Sequence, residues 1–134
     1  MNRSKLVPVA VAVVVAALLA VCAAQQVGEI KRNVLTKQDL SSVPGHEGVV
    51  AQVEFAPGAR EARHTHPGEV LGYVQEGSIV LNVEGKPATT LKPGESFFVP
   101  AGAVHWGENT GNTPCKVLAT FVVEKGKPLT SPAK

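Results

Sequence analysis

From residue 49 onward, glycines and prolines cut this chain into short segments, and none of them carries a helical period. Runs at 49–55, 70–75, 78–84, 88–91, 96–99, 104–109 and 116–124 are rich in β-branched and aromatic residues. Between them stand turn signals such as Pro57-Gly58, Gly85-Lys86-Pro87, Pro93-Gly94 and Pro100-Ala101-Gly102. Many short strands closed by frequent turns predict an all-β sandwich or barrel.

Alternation says which side of each run faces inward. Val49, Ala51, Val53 and Phe55 share one face of the first run, Val50, Gln52 and Glu54 share the other, and Ile79, Leu81 and Val83 repeat the apolar face. The run at 116–124 is apolar on both faces, because Val117, Ala119, Phe121 and Val123 oppose Leu118, Thr120 and Val122. A two-faced strand must be covered twice, by the N-terminal segment or by a second subunit. Residues 46–124 therefore read as one barrel. Residues 25–45 read as an N-terminal extension, irregular apart from an extended piece at 30–36, and 125–134 as a flexible polar tail.

The first 24 residues read differently. Arg3 and Lys5 precede an apolar run at 6–21, and small residues follow around Ala23-Ala24. A charged start, an apolar stretch and a small-residue end predict a cleaved signal peptide and a secreted or periplasmic protein. The run is short of the ~20 residues of a spanning helix, so no stable membrane span is expected once it is removed. Lipoprotein anchoring through Cys22 is the lesser alternative, since Val21 before it is bulky. Cleavage would also leave Cys115 without an internal disulfide partner, so stability rests on packing, with Cys115 read as a buried small hydrophobe.

Charge excludes one class of partner. Without Arg3 and Lys5, the thirteen basic residues become eleven, against eleven acidic ones. A chain without net charge has no electrostatic footprint for nucleic acid. Nor does the sequence hold a nucleophile beside a base or a glycine-rich phosphate cradle.

Three of the four histidines fall in two short segments. "GAREARHTHPGEVLGYVQEG" carries His64 and His66, whose spacing puts both rings on one face of an extended strand. "GESFFVPAGAVHWGEN" carries His105 just after the turn at Pro100-Ala101-Gly102. His46 reads as a surface residue, Trp106 as facing away from His105, and Tyr73 as a polar group at the barrel rim.

These segments resemble the paired motifs of the cupin superfamily. Gly94, Pro100, Gly102, His105 and Asn109 fit the second motif throughout, and Gly58, His64, His66 and Gly77 fit the first. The resemblance covers roughly 49–123. It implies a double-stranded β-helix, a jelly-roll-like cupin barrel of short antiparallel strands with a metal inside its mouth, and commonly a homodimer. One position departs: where the motif carries a metal-binding Glu, this chain has Val70, and the nearest carboxylate is Glu69. On an undisturbed strand Glu69 points away from the histidines; a bulge at Pro67-Gly68 would turn it inward and make it a candidate further ligand. The expected ligand set is otherwise His64, His66 and His105 with water, similar to the three-His sites of some cupin dioxygenases. Asn109 is expected to tighten the turn or support the pocket from behind the ligands.

Three imidazoles on one side of an ion leave coordination positions open for a substrate, and imidazole accepts Fe, Mn, Cu, Ni or Zn alike. The leading expectation is an exported metal-dependent enzyme of oxygenase type acting on a small organic molecule. The alternatives are a module that binds a metal or small ligand without turning it over, and a barrel that holds no metal.

Overall fold

The computed structural model describes residues 28–134, so the expected signal segment and Cys22 lie outside the described residues. Ten strands follow in order: β1 (Ile30–Asp39), β2 (His46–Phe55), β3 (His64–Thr65), β4 (Gly68–Glu76), β5 (Ile79–Val83), β6 (Thr89–Leu91), β7 (Ser96–Val99), β8 (His105–Glu108), β9 (Cys115–Glu124) and β10 (Ser131–Pro132). They make two five-stranded antiparallel sheets, one ordered β1-β2-β9-β4-β7 and the other β10-β3-β8-β5-β6. From β2 to β10 the chain alternates between the sheets at every step except the β5–β6 hairpin, so it winds as a double-stranded β-helix, as expected.

The period-2 pattern explains the inward faces. Along β2, Val49, Ala51, Val53 and Phe55 are buried, and along β9 so are Cys115, Val117, Ala119, Phe121 and Val123. These residues pair across the β2–β9 ladder, Val49 with Phe121 and Phe55 with Cys115. They form two adjoining apolar clusters, one around Phe55, Val74, Ile79 and Val117 and one around Val49, Val70, Val99 and Phe121. Each fully buried aliphatic or aromatic side chain contributes roughly 1.5–3 kcal/mol, which makes this interior the main source of stability. Cys115 is wholly buried, and desolvation pushes its thiol up to about 11, consistent with a packing role.

Two terminal segments depart from the reading of the sequence. The N-terminal segment is a ten-residue strand rather than a short extended piece, and it continues the first sheet at the edge of β2. Nine of its ten residues are exposed, so no apolar alternation marks it; its backbone ladder to β2, with an irregularity between Val34 and Thr36, defines it. Because β1 lies beside β2, it does not cover the outer face of β9, where Leu118 and Val122 remain half-buried. The segment at 125–134, read as a flexible tail, instead carries β10. There Ser131 pairs with Thr65, Pro132 pairs with His64, and the Ala133 N–H donates to the Arg63 carbonyl at 3.0 Å.

Candidate metal centre

The two histidine segments meet because the sheet puts them side by side. His64 on β3 is the direct register partner of His105 on β8. The Gly102 N–H, in the turn before β8, donates to the His66 carbonyl at 3.1 Å. Gly102 sits at φ 72°, a left-handed conformation that a side chain resists, and this is the bend that redirects the chain into β8. Ring centroids lie 4.9 Å apart for His64 and His66, 4.4 Å for His64 and His105, and 5.0 Å for His66 and His105. One ring nitrogen from each residue falls within 4.8 Å of the others, and all three side chains are buried.

Each ring is oriented by a backbone carbonyl. Nδ1 of His64 donates to the Ala62 carbonyl at 2.8 Å, Nδ1 of His105 to Ala103 at 2.9 Å, and Nδ1 of His66 to Leu129 at 2.6 Å. A proton held on Nδ1 leaves the Nε2 lone pair for a metal, and backbone partners of this kind fix both tautomer and ring orientation. Burial lowers the pKa of His66 to about 4, helped by the nearby His105 and His64 and opposed by the Leu129 carbonyl and Glu61. Burial likewise lowers His105, again with opposition from its backbone partner Ala103 and from Glu61. Neutral imidazole is the form that ligates, so the donor set fits a divalent transition ion and the three rings are positioned to hold one.

The cavity they face holds about 60 Å³ and is walled by Phe55, Val70, Ile79, Leu81, Val117 and Phe121, among others. Val70 lies on this wall, whereas Glu69 belongs to the other face of β4. The ladder from Gly68 to Val74 against β9 runs without a shift; the irregularity lies further on, between Val74 and Glu76. The ladder thus shows no inward bulge at Pro67-Gly68, the alternative that would have turned Glu69 toward the histidines. The reason is packing: a Cβ on Gly68 would collide with the Val122 carbonyl, so this glycine serves the close approach of β4 to β9.

Tyr73 lies outside the pocket, whereas Asn109 holds the turn behind it, as its reading allowed. Tyr73 is 47% exposed, because Val70, Gly72 and Val74 take the inward positions of β4 and Leu71 and Tyr73 the outward ones. Asn109 is buried but does not line the cavity. Its amide donates to the carbonyls of Phe55 and Thr113 at 3.0 and 2.8 Å, and its Oδ1 accepts from the Gly111 N–H at 3.0 Å. Backbone bonds Gly58 N–H to Asn109 carbonyl and Asn109 N–H to Ala59 carbonyl, both 2.9 Å, tie the start of the first motif to the end of the second. Trp106 faces away from the metal site, with its indole N–H on Glu108 at 2.8 Å and the guanidinium groups of Arg60 and Arg63 over its ring.

One cavity residue carries no mark in the sequence. Glu61 lines the same wall as the histidines, and its carboxylate accepts from the Gly107 N–H at 2.9 Å and from Arg32 at 2.7 Å. A regular strand would put residues three apart on opposite faces. A bend at Arg63 resets the alternation between Glu61 and His64, so both reach the cavity.

Known proteins share this arrangement of sequence and fold. A family model described as a cupin domain matches residues 51–123. A germin-like protein of Arabidopsis thaliana, subfamily 2 member 2, is 35% identical over 98 residues, covering 66% of this chain and 44% of the relative, so the chain spans less than half of that relative's length. The tetracenomycin polyketide synthase protein TcmJ of Streptomyces glaucescens is 35% identical over 103 residues, covering 76% of this chain and 66% of the relative. Among solved structures, a cupin-like protein of Thermotoga maritima superposes with a TM-score of 0.62 at 27% identity, covering 79% of this chain and 77% of that one. The chain belongs to the cupin superfamily, with residues 51–123 as its cupin domain.

Proposed function

We propose that this protein binds a divalent transition metal, Fe, Mn, Cu, Ni or Zn, through Nε2 of His64, His66 and His105, and acts as a metal-dependent enzyme of oxygenase type on a small organic substrate. The observation that carries this reading is the shared tautomer: all three Nδ1 atoms are committed to backbone carbonyls, which leaves three Nε2 lone pairs for one ion. A metal bound by three neutral imidazoles supplies Lewis acidity and open coordination positions. The chain's own part is to hold those donors rigid, to exclude bulk water with an apolar wall, and to admit a small molecule to the remaining space.

The second reading is a non-catalytic module that binds a metal or small ligand. It is favoured by Val70, which leaves the site without the carboxylate ligand that the family motif carries, and by the small cavity. Elemental analysis of the protein isolated from its native compartment tests the common part of both readings. Bound metal at about one per chain, lost in His105→Ala, supports the metal site in both; a metal-free native protein overturns the enzyme reading and leaves only a small-ligand module. Oxygen consumption by the loaded protein over a panel of phenols, thiols and diketones then separates enzyme from binder.

Export rests on the first 24 residues, whose charged start and apolar run have the form of a signal peptide. Among the described residues no helix is long and apolar enough to cross a membrane. A homodimer is supported by the outer face of the first sheet, where the register partners Leu71 and Phe98 are 51% and 55% exposed beside the half-buried Leu118 and Val122. Sedimentation of the wild type against Phe98→Glu tests it: a dimer that the charge converts to monomer supports the assembly, and a wild-type monomer rejects it.

A further inference from the structure

Apart from the three imidazoles, Glu61 is the one ionisable side chain among the described residues that line the metal cavity. Its side chain is only 13% exposed, while that of its partner Arg32, on β1, is 53% exposed. The cation therefore stands outside and the anion inside. Arg32 and Arg63 border a separate outer depression, together with Glu61, His64, Thr130 and Pro132, so the arginines near Glu61 stand outside the cavity wall.

The carboxylate is held in place from two sides. Oε2 accepts from the Gly107 N–H and Oε1 from Arg32, as described above. Gly107 allows this contact, because a Cβ there would lie 3.3 Å from Oε2 and 3.3 Å from Phe55. An ionised carboxylate has about four lone-pair directions. Two are used by these partners, which leaves acceptor capacity on a residue that lines the cavity.

We propose that Glu61 is a specificity-determining residue: its carboxylate accepts a hydrogen bond from an uncharged substrate bearing a hydroxyl or amine donor, and it disfavours small carboxylates and other anions at the metal. The inference rests on the metal-binding reading and narrows it to a substrate class. Size limits that class further. A cavity of about 60 Å³ has room for a handful of waters at roughly 10–15 Å³ each, so the enclosed part of the substrate has only a few heavy atoms. Beside a divalent ion, one fixed carboxylate offsets part of the ion's pull on anions and offers an acceptor to a neutral donor, so it shifts preference toward the neutral ligand.

The test uses Co²⁺-loaded full-length protein and follows its visible absorption during titration with azide, a small anion, and with imidazole, a neutral ligand that keeps an N–H donor. Glu61→Gln removes the negative charge and is expected to tighten azide by about tenfold while leaving imidazole within a few-fold of wild type. Arg32→Ala leaves Glu61 in place but unscreened and is expected to weaken azide. The opposite signs matter, because general damage to the cavity would shift both variants the same way. Azide affinity that moves in the same direction in both, or in neither, overturns the assignment of Glu61. Failure of the wild type to bind Co²⁺ overturns the metal reading and the inference with it, so the two failures are distinguishable.

Discussion

Nδ1 of His66 lies 2.6 Å from the carbonyl oxygen of Leu129, a residue 63 positions further along the chain. The C-terminal segment thus completes the orientation of one candidate ligand, while the other two rings are oriented by residues two positions away. Leu129 also packs its side chain against the core around Phe121, and β10 adds a rung beside His64.

Ending the chain after Pro128 is therefore expected to lower metal affinity by about 10–100-fold, the usual cost of losing a partner that orients a metal-bound histidine. Competition against a chromophoric chelator measures this. Leu129→Ala keeps the carbonyl and should retain most of the affinity. Equal loss in both chains would mean that the apolar contact, and not the hydrogen bond, is what the tail supplies.

Position 70 and its neighbour make a second pair of expectations. Glu69→Gln should leave metal affinity unchanged, since Glu69 faces away from the cavity along an unshifted ladder. Val70→Glu places a carboxylate on the cavity wall. It should destabilise the metal-free protein, because an unpaired buried charge is costly, and metal should restore much of the loss. Thermal melts with and without metal give both numbers, and a Val70→Glu protein whose melting point metal does not raise would count against a cation site at this wall.

Asn109 separates structure from ligation. Asn109→Ala strands the carbonyls of Phe55 and Thr113 and removes the acceptor for Gly111, so a loss of about 2–4 kcal/mol is expected in urea denaturation. Metal affinity of the folded fraction should change little, as this side chain does not line the cavity. A large drop in affinity at unchanged stability would assign Asn109 a direct part in the site.

These residues also show what a sequence can carry. The three histidines were legible because their geometry follows from local rules: alternate positions on a strand for His64 and His66, and a glycine turn before His105. The inward faces of β2 and β9 were legible for the same reason, each having a strict apolar period. Leu129 was not, because its contribution is a carbonyl oxygen, which every residue has. Glu61 was hidden by the bend at Arg63, which breaks the parity that would otherwise place it outside. Tyr73 carries a hydroxyl that suits the barrel rim, but its parity opposite to Val70, Gly72 and Val74 sends it outward. Strand β1 left no pattern to read, since a strand exposed almost throughout is held by its backbone ladder alone.

Acid should unfold the metal-free protein earlier than its carboxylates alone would. The folded-state pKa of His66 is depressed to about 4 from an ordinary 6.5, first by burial and then by the neighbouring imidazoles, and His105 is shifted the same way. Between those two pH values the unfolded chain binds more protons than the folded one, so stability rises with pH across that window. The stabilisation is fully present above about pH 6.5 and is lost as the pH falls towards 4. Denaturation curves of metal-free protein from pH 7.5 down to 4.5 should show this slope, and His66→Gln, which has no proton to gain, should flatten it. Bound metal should move the loss to lower pH, because protons must first displace the ion from Nε2. A wild-type curve that is level from pH 7 to 5 without metal would mean that these rings accept protons freely and are more open to water than their packing against Phe121 and one another implies.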